Sequence, residues 1–142
     1  MIEVEKLTMN KIEEILKSNS LGVMSFLDGD KPYGVPMMHI FLDGKLYFAF
    51  PKEGRKQRCL ENNKNVCYVL LFQDCSLIIE GSLEKVREKE EIRKVLPIFC
   101  KMEGIPEKIC EEFIKISTHH PKIGLYLLTP RAMSGWKLKR RN

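Results

Sequence analysis

Asp43-Gly44 lies between two apolar runs of strand length, 33–42 and 45–50, and this arrangement constrains the fold more than anything else in the chain. A two-residue turn of this kind requires positive φ, which Asp and Gly tolerate, and its twist matches that of the flanking strands. The runs on either side are therefore expected to pair as antiparallel neighbours. The same pattern recurs elsewhere. The run 21–27 ends in Asp28-Gly29-Asp30, and 66–72 is separated by Gln73-Asp74-Cys75-Ser76 from another run over 77–86. Hairpin follows hairpin, without the alternation of strand and helix that a parallel sheet needs.

The other segments fit around these hairpins. Thr8 is positioned to cap a short helix with Ile12, Ile15 and Leu16 on one face, fraying near Asn19 and Ser20. Pro36 predicts an edge, a bulge or an interruption of pairing within 33–42, and Gly81 predicts a bulge. A short helix over 54–63 separates two strands. Two longer helices follow the 77–86 run. One covers about 88–101, with Ile92, Val95, Leu96 and Phe99 on one face and a kink at Pro97; the other starts at Pro106 and buries Ile109, Cys110, Phe113 and Ile116. His119 and His120 are expected in a loop, and two strands, 123–128 and 133–138, close the chain around Thr129-Pro130. The predicted fold is mainly β: a six- to seven-stranded antiparallel split β-barrel with short helices, residues 1–142 forming a single domain.

Several function classes recede on composition. A hydrophobic fraction of 44% and a charged fraction of 30% describe a globular chain, and no apolar run approaches the ~20 residues of a membrane-spanning helix. Residues 1–11 alternate acids and bases with no secretory h-region, so the default expectation is a cytoplasmic protein. The five cysteines include no Cys-x-x-Cys pair, which fits neither a disulfide framework nor a zinc knuckle. Buried free thiols in a reducing compartment are expected. The three histidines have no Asp or Glu at metal-ligand spacing, so no metal site is expected. His39, on a strand, either faces a ligand or makes a local hydrogen bond. Ser25, Ser76, Ser82 and Ser134 lack the context of a nucleophile elbow.

One segment does carry chemistry. In Ala49-Phe50-Pro51-Lys52-Glu53-Gly54-Arg55-Lys56, a strand turns into a helix whose first turn also holds Arg58. Cations oppose the macrodipole at a helix N-terminus, whereas a bound phosphate would be favoured there and would relieve the conflict. The alternative is a solvated basic turn. Met37 and Met38 suit either a flat ring or the core. Of the net charge of +5, much sits in a basic tail of Lys137, Lys139, Arg140 and Arg141, which suits nucleic acid, a membrane surface or an anionic ligand, or serves only as a solubilising end.

The order of elements and these residues together resemble the pyridoxamine 5′-phosphate oxidase-like split-barrel flavoproteins, in particular the branch that includes the nitroimidazole-resistance reductases. The most specific part is Gly54-Arg55-Lys56 with Leu60 and Asn63, followed by Ile79-Glu80-Gly81 and by Pro130 with Trp136 six residues later. The resemblance implies FMN in a groove between two protomers of a homodimer. It assigns Arg55 and Lys56 to the phosphate at the Gly54 turn, and Val35, Pro36, Met37, Met38, Ala49 and Phe50 to the ribityl chain and isoalloxazine. Ser76 falls where oxidases place a flavin-binding glutamine; Trp136 would come from the partner, with Lys137 near the flavin or an incoming anion. Two departures stand out. Flavin-contacting Arg and Lys positions of the oxidases read Val35 and Ile40 here, and the oxidase's substrate-gripping Arg-x-His segment has no match. The implied activity is therefore transfer of hydride or electrons from a reduced donor, such as a nicotinamide, to a small acceptor, not the oxidase reaction itself. No catalytic side chain is assigned. A flavin or haem carrier without turnover is one alternative. A nucleic-acid-binding barrel is another, disfavoured because few aromatics are interleaved with basic residues.

Overall fold

A computed structural model describes residues 2–119 and 123–140, without the side chains of 113, 116–119 and 140. The expected burial of Phe113 and Ile116 and the loop position of His120 lie outside the described residues; His119 is the last residue of a helix. The elements are β1 (Ile2–Lys6), α1 (Met9–Ser18), β2 (Leu21–Asp28), β3 (Lys31–Met38), β4 (Ile40–Leu42), β5 (Lys45–Pro51), α2 (Arg55–Asn62), β6 (Asn65–Phe72), β7 (Cys75–Lys85), α3 (Lys89–Met102), α4 (Glu107–His119) and β8 (Ile123–Arg140). Among the described residues, seven strands follow the order β3-β2-β6-β7-β8-β5-β4, every pair antiparallel, and β1 pairs with β8 off this path.

The turn chemistry acts as expected. Asp43 and Gly44 both adopt positive φ, 52° and 74°, as the tight β4–β5 hairpin requires. β3 and β4 stand at opposite ends of the sheet order, yet only His39 separates them in sequence. One continuous segment thus leaves β2 and joins β5, curling the sheet into a split barrel. Of the alternatives open for Pro36, the edge is the observed one: it pairs with Val23 on an outer strand, where its missing N–H costs no ladder bond on the open side, and the interruption between strands lies at His39.

His39 holds that switch together. Its backbone N–H donates to Ser20 O at 2.7 Å, and its buried ring lies 2.9 Å from Leu16 O through Nε2 and 2.6 Å from Tyr68 Oη through Nδ1. A carbonyl only accepts, so Nε2 carries the hydrogen; burial favours the neutral ring and pushes the His39 pKa down, leaving Nδ1 to accept from the Tyr68 hydroxyl. Gly22 makes room for this tyrosine, because a Cβ there would lie 2.6 Å from Tyr68 Cζ. Of the two readings open for His39, the local hydrogen bond is the observed one.

Alternation of side chains divides the sheet into two faces. Val35, Met24, Tyr68, Ile79 and Met133 form one row across five strands on the inner face, around a core that includes Phe26, Phe48, Leu77 and Leu128. α1 closes this core with Ile12, Ile15 and Leu16, and its N-cap Thr8 accepts from Lys11 N–H at 3.2 Å. A second core lies outside the barrel, where Tyr47 and Leu125 pack against Ile92, Val95, Leu96 and Phe99 of α3. Elsewhere the outer face is uncovered. Pro36, Val23, Val69, Ile78 and Ser134 form an outer row, and Leu71, Ser76 and Trp136 another.

Four further expectations need correction. The two closing strands are one strand of 18 residues. Pro130 is tolerated because β8 pairs with β5 only as far as Leu128, and because the expected bulge lies here: Gly81 faces Pro130 while Glu80 faces Ala132. Second, β1 was not foreseen; its Glu5 and Glu3 stand opposite Lys137 and Lys139, and Lys139 Nζ meets Glu5 Oε2 at 2.8 Å. Third, Cys100 and Cys110 are disulfide-bonded, because α3 and α4 turn back on each other and bring their Cα atoms to 5.9 Å; Cys59, Cys67 and Cys75 are free. Fourth, Ile109 is exposed beside the buried Cys110. No helix among the described residues is long and apolar enough to cross a membrane.

Candidate functional site

α2 begins without a side-chain cap. Gly54, at φ 128°, occupies the N-cap position, so its neighbours' N–H groups receive no local side-chain acceptor. The first turn carries Arg55, Lys56 and Arg58 and no acid. These cations diverge. The Arg55 guanidinium lies 3.8 Å over the Tyr33 ring and donates through Nε to Asp28 Oδ2 at 2.9 Å. Lys56 Nζ instead sits 5.5 Å from the centre of the Phe50 ring. Phe50 is held in turn by parallel stacking on Tyr126, at 3.8 Å, and the Tyr126 hydroxyl donates to Gln57 Oε1 at 2.7 Å. Burial raises the Tyr126 pKa, which keeps this hydroxyl a donor at neutral pH.

Lys56 borders a cavity of about 310 Å³ that also collects Pro36, Met37, Met38, Ala49 and Phe50. Six of the residues singled out in the sequence therefore meet around one space. Pro51, Leu21, Phe99 and Glu103 complete its wall, and the last three were not foreseen. Phe99 and Glu103 reach it only because α3 folds across β5, a long-range packing relation without a local sequence signal. Val35 faces the barrel core, in line with Met24 and Tyr68. Ser76, Trp136 and Lys137 do not line this cavity; Ser76 stands opposite Trp136, and Cys75 opposite Lys137, on β7 and β8. Ile40, one of the positions where oxidases carry a cation, is buried in the second core.

Beside this space lies a second cavity of about 210 Å³, between β5, α3 and the α3–α4 turn. The two share Ala49, Phe50, Pro51, Phe99 and Glu103. Other polar groups of the molecule are occupied differently. Tyr47 donates to Glu91 at 2.5 Å, and burial together with that carboxylate raises its pKa. Burial also raises the thiols of Cys59 and Cys67, the opposite of what a reactive cysteine requires. Lys52, half-buried, is lowered by burial and by the neighbouring Lys85 and Arg87. Among the described residues, no three His, Cys, Asp or Glu side chains come together as metal ligands.

An antiparallel barrel closed by a strand that changes partners, with a cation-bearing helix start beside its open cavity, defines a split-barrel protein of ligand-binding type. The chain belongs to the pyridoxamine 5′-phosphate oxidase family, whose sequence pattern matches residues 8–137. No curated protein matches it in sequence. Among solved structures, a conserved hypothetical protein of Mycobacterium tuberculosis superposes with a TM-score of 0.77 at 18% identity, over 92% of this chain and 85% of that one. A candidate 5-nitroimidazole antibiotic resistance protein of Bacteroides thetaiotaomicron gives 0.73 at 20% identity, over 97% and 89%. A FAD-binding protein of Mesorhizobium loti gives 0.67 at 15% identity, over 99% and 100%. At these identities the superpositions speak for the fold alone.

Proposed function

We propose that the protein binds FMN in the cavity beside α2 and, as a homodimer, passes hydride or electrons from a reduced donor to a small acceptor. The observation that carries this reading is the meeting of Lys56 and the uncapped α2 N-terminus with an apolar wall of Met37, Met38 and Phe50. The donor set fits the group: a cation and free N–H groups suit a phosphate, and methionines and an aromatic ring suit a flat heterocycle. Membership of the family and a FAD-binding structural neighbour support a flavin.

The chemistry that FMN supplies when bound is acceptance and release of hydride at its N5. The chain's own residues bind and orient. Lys56 takes the phosphate charge. Arg55 joins it on leaving Asp28, which is an exposed pair and cheap to break. Met37, Ala49 and Phe50 would screen the bound ring from water, and Tyr126 and Gln57 hold Phe50 in place. Val23, Leu71, Ile78 and Trp136 are exposed on the outer face, apolar surface of the kind that a partner covers. A second protomer seated there would bury this surface and bring its own Ser76, Trp136 and Lys137 toward the flavin.

A nucleic-acid-binding barrel is less well supported, since Lys139 is already paired with Glu5 across β1 and β8. The deciding experiment is titration of FMN into the purified protein, followed by quenching of flavin fluorescence and by sedimentation. Saturable quenching by a dimer is expected. No quenching with FMN in excess, or a strictly monomeric protein, would refute the proposal.

A further inference from the structure

The cavity of about 210 Å³ adjoins the α2 site and has no part in the reading above. It exists because Ala49 is small. The preceding outward residue of β5, Tyr47, packs into the core under α3, whereas Ala49 leaves a gap against Leu96 and Phe99. The floor is the end of α3, which closes with Gly104 at φ 69°, Ile105 N–H donating to Cys100 O at 2.9 Å and Gly104 N–H to Lys101 O at 3.2 Å. The Cys100–Cys110 disulfide ties this turn to α4.

Glu103 is the only ionisable side chain on a lining otherwise made of Leu96, Phe99, Ile105, Ile123 and their neighbours. It occupies the C-cap of α3, where a carboxylate meets the negative end of the helix dipole. The residue is exposed, and no salt bridge engages it among the described residues. A cationic or N–H-donating group from outside would satisfy both the carboxylate and the dipole. The remaining wall offers an apolar slot for a ring. Because Phe50, Phe99 and Glu103 also border the larger cavity, a ring held here lies against whatever occupies that space.

We infer that this second cavity is the subsite for the small reaction partner, and that it selects a compact flat ring carrying a cationic or N–H-donating nitrogen group, which Glu103 receives. The role as reaction partner rests on the FMN reading; the binding preference does not.

Benzamidine is the probe, with benzyl alcohol and benzoate as neutral and anionic controls, titrated calorimetrically into the full-length protein with and without FMN. Benzamidine should bind at least tenfold more tightly than benzyl alcohol, and benzoate should not bind. Glu103→Gln should remove the tenfold preference. Ile105→Trp, at a residue that lines this cavity but not the larger one, should abolish benzamidine binding and spare FMN. Equal binding of benzamidine and benzyl alcohol, or an unchanged preference in Glu103→Gln, overturns the inference. Benzamidine binding with Glu103-dependence in a protein that takes no FMN supports the subsite and refutes the flavin reading, so the two fail separately.

Discussion

His39 and Lys56 are both basic side chains set against aromatic rings, and they have opposite fates. His39 is sealed between α1 and the barrel, with both ring nitrogens hydrogen-bonded. Lys56 lies at the rim of a cavity over Phe50, at the start of a helix that no side chain caps. The difference lies in satisfaction, not in residue type. A polar group whose partners all come from its own chain does structural work; one that faces open space with its charge unanswered is prepared for a ligand. The same test separates Arg55 from Lys56 within one helix turn, since Arg55 already has Asp28 and Tyr33.

The largest effect should come from breaking the sealed region. His39→Ala leaves the Leu16 carbonyl without its partner and opens a cavity beside Tyr68, which should cost about 3 kcal/mol. Urea unfolding measures it directly. FMN affinity of the folded fraction should stay within twofold, and a large loss of affinity would mean that His39 belongs to the site after all.

The complementary change is Arg55→Ala with Lys56→Ala. Loss of both cations should weaken FMN binding at least a hundredfold, about 2.8 kcal/mol, while the unfolding midpoint hardly moves. Fluorescence quenching and urea titration on one preparation test both halves. Undiminished FMN binding in the double variant would return the α2 start to a solvated turn.

Acid distinguishes the two regions more gently. The His39 pKa is depressed by burial below its ordinary 6.5, so the unfolded chain binds the proton more readily. The stability contributed by the neutral ring is complete above about pH 6.5 and is lost as pH falls toward the depressed folded value, at up to about 1.4 kcal/mol per pH unit. Urea midpoints at pH 7.5 and 5.5 should show this slope in the native protein. His39→Asn should flatten it; parallel slopes in the two proteins would assign the acid sensitivity to other groups.

What could be read in advance follows from the range of the interactions. Asp43-Gly44, the Gly81 bulge and the Thr8 cap are local, and each acts where the sequence put it. Pro36, Met37 and Met38 on β3 meet Ala49 and Phe50 on β5 where the curl of the sheet brings these unpaired strands together, and Lys56 follows Phe50 through the turn into α2. Glu103, Phe99 and the Cys100–Cys110 pair were out of reach, since each depends on how helices pack back after the sheet has formed. The continuity of β8 was hidden by Pro130, whose tolerance depends on an edge that only the assembled sheet defines. The acid–apolar alternation of Ile2, Glu3, Val4 and Glu5 was a usable strand signal, and its complement was the basic tail.

The smallest effect tests the contrast inside the helix turn itself. Asp28 holds Arg55 by one hydrogen-bonded ion pair, and both side chains are about half exposed. Exposed pairs of this kind contribute ~0.2–1 kcal/mol, so Asp28→Ala should barely change stability. It should, however, free Arg55 and remove a negative charge near the proposed phosphate. FMN should then bind about two- to fivefold more tightly, the gain shrinking as salt rises. If affinity instead falls, Asp28 is holding Arg55 in its binding position, and the contrast between an occupied arginine and an available lysine would dissolve into one prearranged phosphate grip.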